Sequence, residues 1–326
     1  MTEGEAHPII VSAMDIAVLK AAGIKLVSID ERIHVVQGLG RGRSPFSNSI
    51  MVLDKRKALI DTGCGLPIIE KLMELVRFDL VLNTHSHPDH TGGNWIVRER
   101  SEARIVVPED EQDSIGSMDK LSVRMMGAHL GEIWKREYLP ITGYRDFTPD
   151  GVYGDGAEFD LGALKLVAVH TPGHLRDHYC FFEPASGTMI GADIDLSPFG
   201  PWYGNAESNI DAFKASVDRL RDMPIATYIS GHAKPVHEPY LGRRLKAYLS
   251  VFDERQADIL ALIPEGSWIT LEELVYASPI YHWDYKSHID WFLCNGETHM
   301  IGKHLYDLVR RGTIVQSPDG FAFRRA

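Results

Sequence analysis

The chain has 326 residues, of which 44% are hydrophobic, and a formal net charge of −11 at pH 7. This composition is typical of a globular protein with one large domain or two, and it excludes a collagen-like or low-complexity chain. The acidic balance disfavours a polyanion as the main partner, although a local basic patch can override it.

The protein is expected in a reducing compartment, the cytoplasm. Its three cysteines, Cys64, Cys180 and Cys294, are widely spaced and predict no disulfide framework. The acidic N-terminus has no signal-segment pattern. No run of about 18 apolar residues is present that would span a membrane.

The first 230 residues predict two β-rich halves flanked by helices. Runs of apolar and aromatic residues, rich in Ile and Val over residues 24–61, predict strands at 24–29, 33–36, 49–53, 57–60, 78–83, 104–107, 157–169, 179–183 and 225–229. Helical periodicity predicts helices at 66–77, 92–100 and 209–222, the last one capped by Ser208 or Asn209. The strand content is too high for a simple doubly wound parallel sheet.

Residues 109–148 interrupt this pattern with many helix formers and with Met and aromatic side chains. We predict a helical insertion. Two roles are open for it, namely packing against the body of the domain or covering a substrate pocket as a lid, since long insertions of this kind are often functional.

Near residue 250 the pattern becomes helical, so we place a boundary between a domain of residues 1–250 and a module of residues 251–326. Predicted elements of the module are helices at 253–262, from Thr270, and at 297–311, followed by a hairpin of 313–316 with 321–325. Helices followed by a hairpin predict a small winged-helix-like module.

The most informative segment is Thr84-His-Ser-His-Pro-Asp-His-Thr-Gly-Gly93, directly after the predicted strand 78–83. Imidazole and carboxylate groups are the usual ligands of Zn, Fe and Mn. Residues two apart in an extended segment share a face, so His85 and His87 can hold one ion together. The turn at Pro88 then allows Asp89 and His90 to face a second ion. The alternative, a chance cluster in a polar loop, is disfavoured because four ligand-type residues rarely fall together at this spacing.

Four more ligand-type residues follow predicted strands: Asp61, His174, Asp193 and His232. Ligand sites of α/β proteins form at the carboxyl ends of strands. A lone histidine there is more often structural than a ligand, but the four endings taken with the histidine segment predict a site for two ions.

The order of these residues resembles the metallo-β-lactamase-fold hydrolase superfamily over about residues 24–240. The resemblance implies an α/β fold, a four-layer αββα sandwich with the metals at one edge of its two sheets. By matching positions, it implies that His85, His87 and His174 bind the first ion. It also implies that Asp89, His90 and His232 bind the second ion, that Asp193 bridges both, and that Asp61 orients a ligand histidine.

Two features bear on the branch of this superfamily. Asp89, where some β-lactamases have a cysteine ligand, is similar to the glyoxalase II, lactonase and RNA-processing branches. The C-terminal module resembles the winged-helix appendage of some members, including a group with endoribonuclease activity. The insertion at 109–148 departs from the compact glyoxalase II-like members. The resemblance therefore does not identify the substrate.

The resemblance implies two divalent metal ions, with zinc expected and iron or manganese also compatible. Such a pair can share a hydroxide that attacks a carbonyl carbon or phosphorus. Asp89 and Asp193 are the predicted catalytic residues. Asp89 is also predicted to accept a proton from the nucleophile. Tyr203 lies in the segment rich in Pro, Gly and aromatics after Asp193, and is predicted to donate a hydrogen bond to the substrate, with simple packing as the alternative.

The leading hypothesis is therefore a dinuclear hydrolase of a small ester, thioester or lactone. Alternatives are a metal-dependent phosphodiesterase or endoribonuclease, a binuclear-iron redox enzyme, and a metal-bound scaffold. Residues 253–326 contain 7 Lys and Arg against 11 Asp and Glu, a net −4, which disfavours nucleic acid. The expected partner is a small-molecule substrate rather than a membrane, and a homo-oligomer is left open.

Overall fold

The computed structural model describes residues 13–237, 239–285 and 290–326. His7 and His288, which have no ligand spacing in the sequence and are interpreted as structural or solvated, lie outside these residues. The described chain divides into two compact units. The first unit contains the residues up to His170, together with Asp177–Asp195 and Pro224–His237. The second contains Thr171–Arg176, Leu196–Met223 and the described residues from 239 onward.

The first unit begins with a seven-stranded sheet whose strands follow one another in chain order. The strands are β1 (Leu26–Ser28), β2 (Ile33–Val36), β3 (Ser49–Val52), β4 (Ala58–Ile60), β5 (Leu80–Leu82), β6 (Arg104–Pro108) and β7 (Gly151–Tyr153). Strands β1 to β4 pair antiparallel, and β4 to β7 pair parallel. Parallel neighbours need crossover connections, and the helices of this unit supply them.

The helices of this unit are α1 (Ala13–Ala21), α2 (Leu66–Leu75), α3 (Pro88–Thr91), α4 (Asn94–Arg100), α5 (Gln112–Ile115), α6 (Met118–Glu137) and α7 (Leu139–Thr142). The last three lie within residues 109–148, where the sequence predicts a helical insertion. The backbone of α6 breaks at Gly127, whose φ of 73° lies in the left-handed region. Met125 and Trp134 of α6 are buried, so these side chains pack.

A second sheet of six strands completes the first unit, with the order β13-β12-β11-β10-β9-β8. Its strands are β8 (Glu158–Asp160), β9 (Lys165–His170), β10 (Tyr179–Glu183), β11 (Thr188–Ile190), β12 (Thr227–Ile229) and β13 (Val236–His237). Alternate residues of both sheets, such as Ile50, Val52 and Phe181, meet in one hydrophobic core. Met51 and Leu59, which point the other way, are buried as well, as expected of strands covered on both faces.

The second unit is mainly helical. Its helices are α8 (Ile210–Arg221), α9 (Leu241–Leu262), α10 (Leu271–Ala277) and α11 (Trp291–Arg310), and its small sheet has the order β14 (Ile269–Thr270), β16 (Ala322–Arg325), β15 (Ile314–Gln316). The predicted caps are confirmed, because Asn209 accepts a hydrogen bond from the backbone of α8 and Thr270 forms a capping box with Glu273. The helix, hairpin and cap predictions hold, whereas the winged-helix assignment stays a prediction.

The division into units differs from the predicted boundary at residue 250. Helix α9 begins at Leu241 and runs through residue 250, because Leu241, Leu245, Tyr248 and Phe252 continue its buried face. The second unit also takes two segments from the middle of the chain. Within the described part of the chain, no helix is both long and apolar enough to cross a bilayer.

Candidate metal centre

The histidine segment joins the end of β5 to the short helix α3. His85 and His87 precede the helix, and Pro88 occupies its first turn, where the missing N–H costs nothing. Asp89 and His90 therefore lie on the helix itself, earlier in the chain than the helix predicted at 92–100. All four ligand-type side chains are buried.

The first unit brings two groups of ligand-type atoms together. In one group, Nε2 of His85 lies 3.1 Å from Nδ1 of His87 and 3.8 Å from Oδ2 of Asp193. In the other, Nε2 of His232 lies 3.3 Å from Nε2 of His90 and 3.6 Å from Oδ2 of Asp89. Each group is compact enough to hold a metal ion, with ligand atoms within 4.8 Å of one another.

Asp193 lies between these groups, shortly after β11. Its Oδ2 faces His85, while its Oδ1 lies 2.9 Å from Nε2 of His90 and 3.2 Å from Nε2 of His232. The two oxygens of one carboxylate thus point to different groups. This is the arrangement that a bridging ligand requires.

His174 lies four residues beyond the end of β9, in the Thr171–Arg176 segment that belongs to the second unit. Its Nδ1 is 2.9 Å from the backbone oxygen of Trp202. A carbonyl oxygen can only accept, so Nδ1 carries the proton and Nε2 is the nitrogen with the lone pair. Ser208 also donates its hydroxyl to the backbone oxygen of His174, at 2.7 Å.

Two oxygen atoms orient imidazoles of the second group. Asp61 Oδ2 lies 2.7 Å from Nδ1 of His90, the contact expected of a carboxylate that orients this histidine. Nδ1 of His232 lies 2.7 Å from the backbone oxygen of Gly42. Both contacts place the proton on Nδ1 and turn Nε2 towards the second group.

The charge of this centre fits a cation. Burial lowers the pKa of His90, but the carboxylates of Asp193 and Asp61 outweigh burial and raise it well above its usual value. Burial likewise lowers the pKa of His232, yet Asp193 and Asp89 raise it to about 9. The buried carboxylates therefore favour positive charge at these imidazoles, which is the charge that a bound cation would supply. The four imidazoles and two carboxylates of the two groups in the first unit offer nitrogen and oxygen donors of the kind that suit Zn, Fe or Mn.

Two glycines allow the backbone to approach the centre closely. A Cβ on Gly63 would lie 1.5 Å from the backbone oxygen of Asp89. A Cβ on Gly231 would lie 2.9 Å from Cε1 of His90 and 3.3 Å from Oδ1 of Asp193. Larger residues at these positions would displace the segments that carry Asp89 and His232.

Two further residues lie around the centre, and from the sequence His178 could either support the ligands or lie at the surface, while Arg124 has no assigned role. His178 is fully buried, and its Nε2 accepts a hydrogen bond from the backbone N–H of Asp193 at 3.1 Å. Arg124 of α6 donates to Ser86 at 2.6 Å and to Asp177 at 2.8 Å. The insertion therefore reaches the residue between His85 and His87. The sequence around Arg124 contains no local pattern that predicts its contacts with Ser86 and Asp177.

The structure does not support the predicted substrate contact of Tyr203. The side chain is fully buried in the second unit, and its hydroxyl lies 2.8 Å from Nε2 of His304. Burial with a satisfied hydroxyl corresponds to the packing alternative. We therefore assign Tyr203 no substrate contact.

A family model described as the metallo-beta-lactamase superfamily matches residues 43–232, the span that contains every predicted metal ligand. The chain belongs to this superfamily. It is therefore a metal-dependent hydrolase, as predicted.

Relatives of the chain include fungal and bacterial proteins. The lactamase-like protein aptB of Emericella nidulans is 27% identical over 77% of this chain and 75% of its own length. The atrochrysone carboxyl ACP thioesterase of Claviceps purpurea is 26% identical over 76% of this chain and 72% of its own length. A hydroxyacylglutathione hydrolase of Hyphomonas neptunium is 25% identical over 56% of this chain and 62% of its own length.

Solved structures share the fold. A metallo-beta-lactamase family protein from Thermus thermophilus aligns with a TM-score of 0.66 at 20% identity, covering 86% of this chain and 94% of that chain. A beta-lactamase domain protein from Burkholderia ambifaria aligns with a TM-score of 0.68 at 19% identity, covering 93% of this chain and 94% of that chain. With two large sheets and helices in this chain, the predicted α/β fold class, the metallo-β-lactamase sandwich, is confirmed.

Proposed function

We propose that this protein is a dinuclear hydrolase that cleaves a small ester, thioester or lactone. The observation that carries the proposal is the position of Asp193, whose two carboxylate oxygens face two separate groups of ligand-type atoms. A single-ion site has no need of the second group.

Ligands are assigned as the sequence predicted. His85, His87 and His174 hold the first ion, Asp89, His90 and His232 hold the second, and Asp193 serves both. Zinc is the expected metal, and the nitrogen and oxygen donors are also compatible with iron and manganese. Two such ions, when bound, would lower the pKa of a water and polarise the carbonyl oxygen next to the bond to be cleaved.

The residues of the chain prepare the site for that chemistry. Asp61 and the Gly42 carbonyl hold His90 and His232 in the tautomer whose Nε2 faces the second group. His178 holds the backbone of Asp193. Asp89, whose Oδ2 lies 3.6 Å from Nε2 of His232, is the carboxylate that we assign to accept a proton from the attacking water, since Asp193 serves both ions.

The substrate class is supported by the relatives. One is named as an acyl-carrier-protein thioesterase and another as a hydroxyacylglutathione hydrolase. A carbonyl compound with a thiol or alcohol leaving group is therefore favoured over a phosphodiester. The acidic charge of the chain also favours a small molecule over a nucleic acid.

The test is elemental analysis followed by a substrate panel. The protein purified under mild conditions should bind two equivalents of metal per chain, and the His85→Ala and His232→Ala variants should each retain about one. The loaded protein should hydrolyse a thioester, a lactone or an aryl ester faster than bis-p-nitrophenyl phosphate, and a chelator should abolish the activity.

The matched control is Asp218→Ala, which removes a half-exposed carboxylate on α8. This variant should keep both ions and full activity. One equivalent of metal after saturation, or hydrolysis of the phosphodiester alone, would contradict the proposal.

A further inference from the structure

The segment of residues 199–205, here called the aromatic loop, is held at several points by the C-terminal part of the second unit. Arg255 of α9 is buried, and it donates 2.6 Å hydrogen bonds to the backbone oxygens of Phe199 and Pro201. Its guanidinium lies 4.4 Å from the centre of the Phe199 ring. A charged group in two hydrogen bonds to the backbone restrains the start of the loop strongly.

The rest of the aromatic loop is held by residues further along the chain. The indole Nε1 of Trp202 donates to the hydroxyl of Tyr281 at 2.8 Å, and the Tyr203 hydroxyl contacts His304 of α11. Lys303 of α11 donates to the backbone oxygen of Asn205 at 2.7 Å. These hydrogen bonds leave the loop little freedom to move independently of the C-terminal helices.

Tyr281 is itself fixed by a buried carboxylate. Glu297 of α11 is fully buried and accepts hydrogen bonds from the backbone N–H groups of Ile280, at 2.8 Å, and Tyr281, at 3.2 Å. Its other oxygen accepts from the hydroxyls of Ser278 and Tyr285. A buried carboxylate that accepts four hydrogen bonds restrains the groups that donate to it, including the backbone of Tyr281.

This series of contacts ends at His174, a proposed metal ligand. The backbone oxygen of Trp202 accepts the Nδ1 proton of His174 at 2.9 Å, and the two rings lie 5.6 Å apart. Glu297 holds Tyr281, Tyr281 holds Trp202, and Trp202 holds His174. We infer that the C-terminal module positions His174 as a metal ligand through Tyr281 and Trp202.

This inference rests on the proposed function, in which His174 binds the first ion. It assigns a positioning role to the C-terminal module, whose role the sequence did not specify. Partners that orient a ligand imidazole typically change metal affinity by about 10- to 100-fold when they are removed. Tyr281 acts through Trp202 and is therefore a positioning residue.

The experiment compares Tyr281→Phe and Trp202→Phe with the control Tyr276→Phe. The first two variants break the same hydrogen bond and keep an aromatic ring and every backbone carbonyl. Tyr276 lies on α10 with 60% of its surface exposed, so the control removes a solvent-facing hydroxyl from the same module. Cobalt(II) affinities are measured by chelator competition, with the visible absorption of the bound ions as a second readout.

Tyr281→Phe and Trp202→Phe should each weaken one of the two cobalt ions by about tenfold and alter its absorption, while the other ion is unaffected. The double variant should lose no more affinity than either single variant, because both remove one interaction. Tyr276→Phe should match the wild type.

Folded variants with wild-type affinities and spectra at both sites would overturn the inference, even if their thermal stability fell. The proposed function fails differently. A wild-type protein that binds two ions but hydrolyses no ester, thioester or lactone would contradict that function, while the cobalt measurements would still test the positioning role.

Discussion

The Asp61 carboxylate contacts the His90 imidazole at 2.7 Å, and both side chains are buried. Both oxygens of the same carboxylate are used, because the backbone N–H and the hydroxyl of Thr84 also donate to Asp61 at 2.8 Å. Asp61, the residue after β4, therefore connects Thr84 at the beginning of the histidine segment to His90 near its end. The backbone of Asp61 has a φ of 59°, an uncommon value for a residue other than glycine, and such values cluster at functional sites.

Asp61→Ala and Asp193→Ala should differ in severity. Loss of Asp61 removes an orienting contact and should lower kcat/KM by about 10- to 100-fold. Loss of Asp193 removes a ligand shared by both ions and should cost more. Hydrolysis rates at equal metal loading, with the same substrate, measure both effects. Equal losses, or a larger loss for Asp61→Ala, would contradict the assignment of Asp193 as the bridge.

Arg124→Ala should destabilise the protein strongly. Only 9% of the Arg124 side chain is exposed, and its partner Asp177 is fully buried, so the variant leaves a buried charge without its partner. The free energy of unfolding should fall by about 3 kcal/mol or more, as measured by urea denaturation. Metal content should fall too, because Arg124 also holds Ser86 between His85 and His87.

The control for this prediction is Arg136→Ala on the same helix. Its side chain is 70% exposed and pairs with Glu137, so the change should stay within about 0.5 kcal/mol. If Arg124→Ala behaves like Arg136→Ala, the buried contacts of Arg124 do not stabilise the insertion.

The lowered pKa of His304 predicts that the folded protein loses stability in mild acid. Burial, with the charges of Arg255 and Lys214, lowers the pKa of His304 to about 4 from an ordinary value of 6.5. Between these values the unfolded chain binds the proton and the folded protein does not. The free energy of unfolding therefore falls as the pH falls through this window, by about 3 kcal/mol in total and about 2 kcal/mol between pH 7 and pH 5.

Guanidinium chloride unfolding of the wild type and of His304→Gln at pH 7 and pH 5 isolates this contribution. The variant should lose less stability over the interval than the wild type. Glutamine still offers an acceptor to the Tyr203 hydroxyl, so folding should be preserved. The same loss in both proteins would show that His304 is not the group responsible.

The C-terminal module should not bind nucleic acid. Four arginines near the end of the chain, Arg310, Arg311, Arg324 and Arg325, are its best phosphate ligands, but they are engaged within the module. Arg310 and Arg311 pair with Asp307, Arg325 donates to the backbone oxygens of Ile263 and Leu260, and Arg324 lies over Trp268. Together with the net charge of −4 over residues 253–326, these contacts leave little positive potential.

Binding to single- and double-stranded RNA and DNA over a salt series checks this prediction. Sub-micromolar affinity that falls steeply with salt, and that is lost in Arg310→Ala with Arg311→Ala, would favour the nuclease instead. The matched control is Arg136→Ala, whose arginine lies on the insertion, outside the module.

Local patterns in the sequence determined the elements and most of the site. A strand, a proline turn and a helix start depend on residues within a few positions of one another, and so do the caps at Asn209 and Thr270. The spacing of His85, His87, Asp89 and His90 was therefore readable without the fold, as was the apolar alternation that builds the two sheets.

The tertiary structure alone decided which distant groups support that site. Arg124 meets Ser86 and Asp177 across 38 and 53 residues, and Tyr203 meets His304 across 101. Such pairings follow from the topology of the folded chain and carry no periodic signal. An aromatic side chain in a loop has the same local pattern whether its hydroxyl faces a ligand or a buried imidazole. Only the surrounding packing, which buries Tyr203 and leaves Trp202 to hold His174, distinguishes the two.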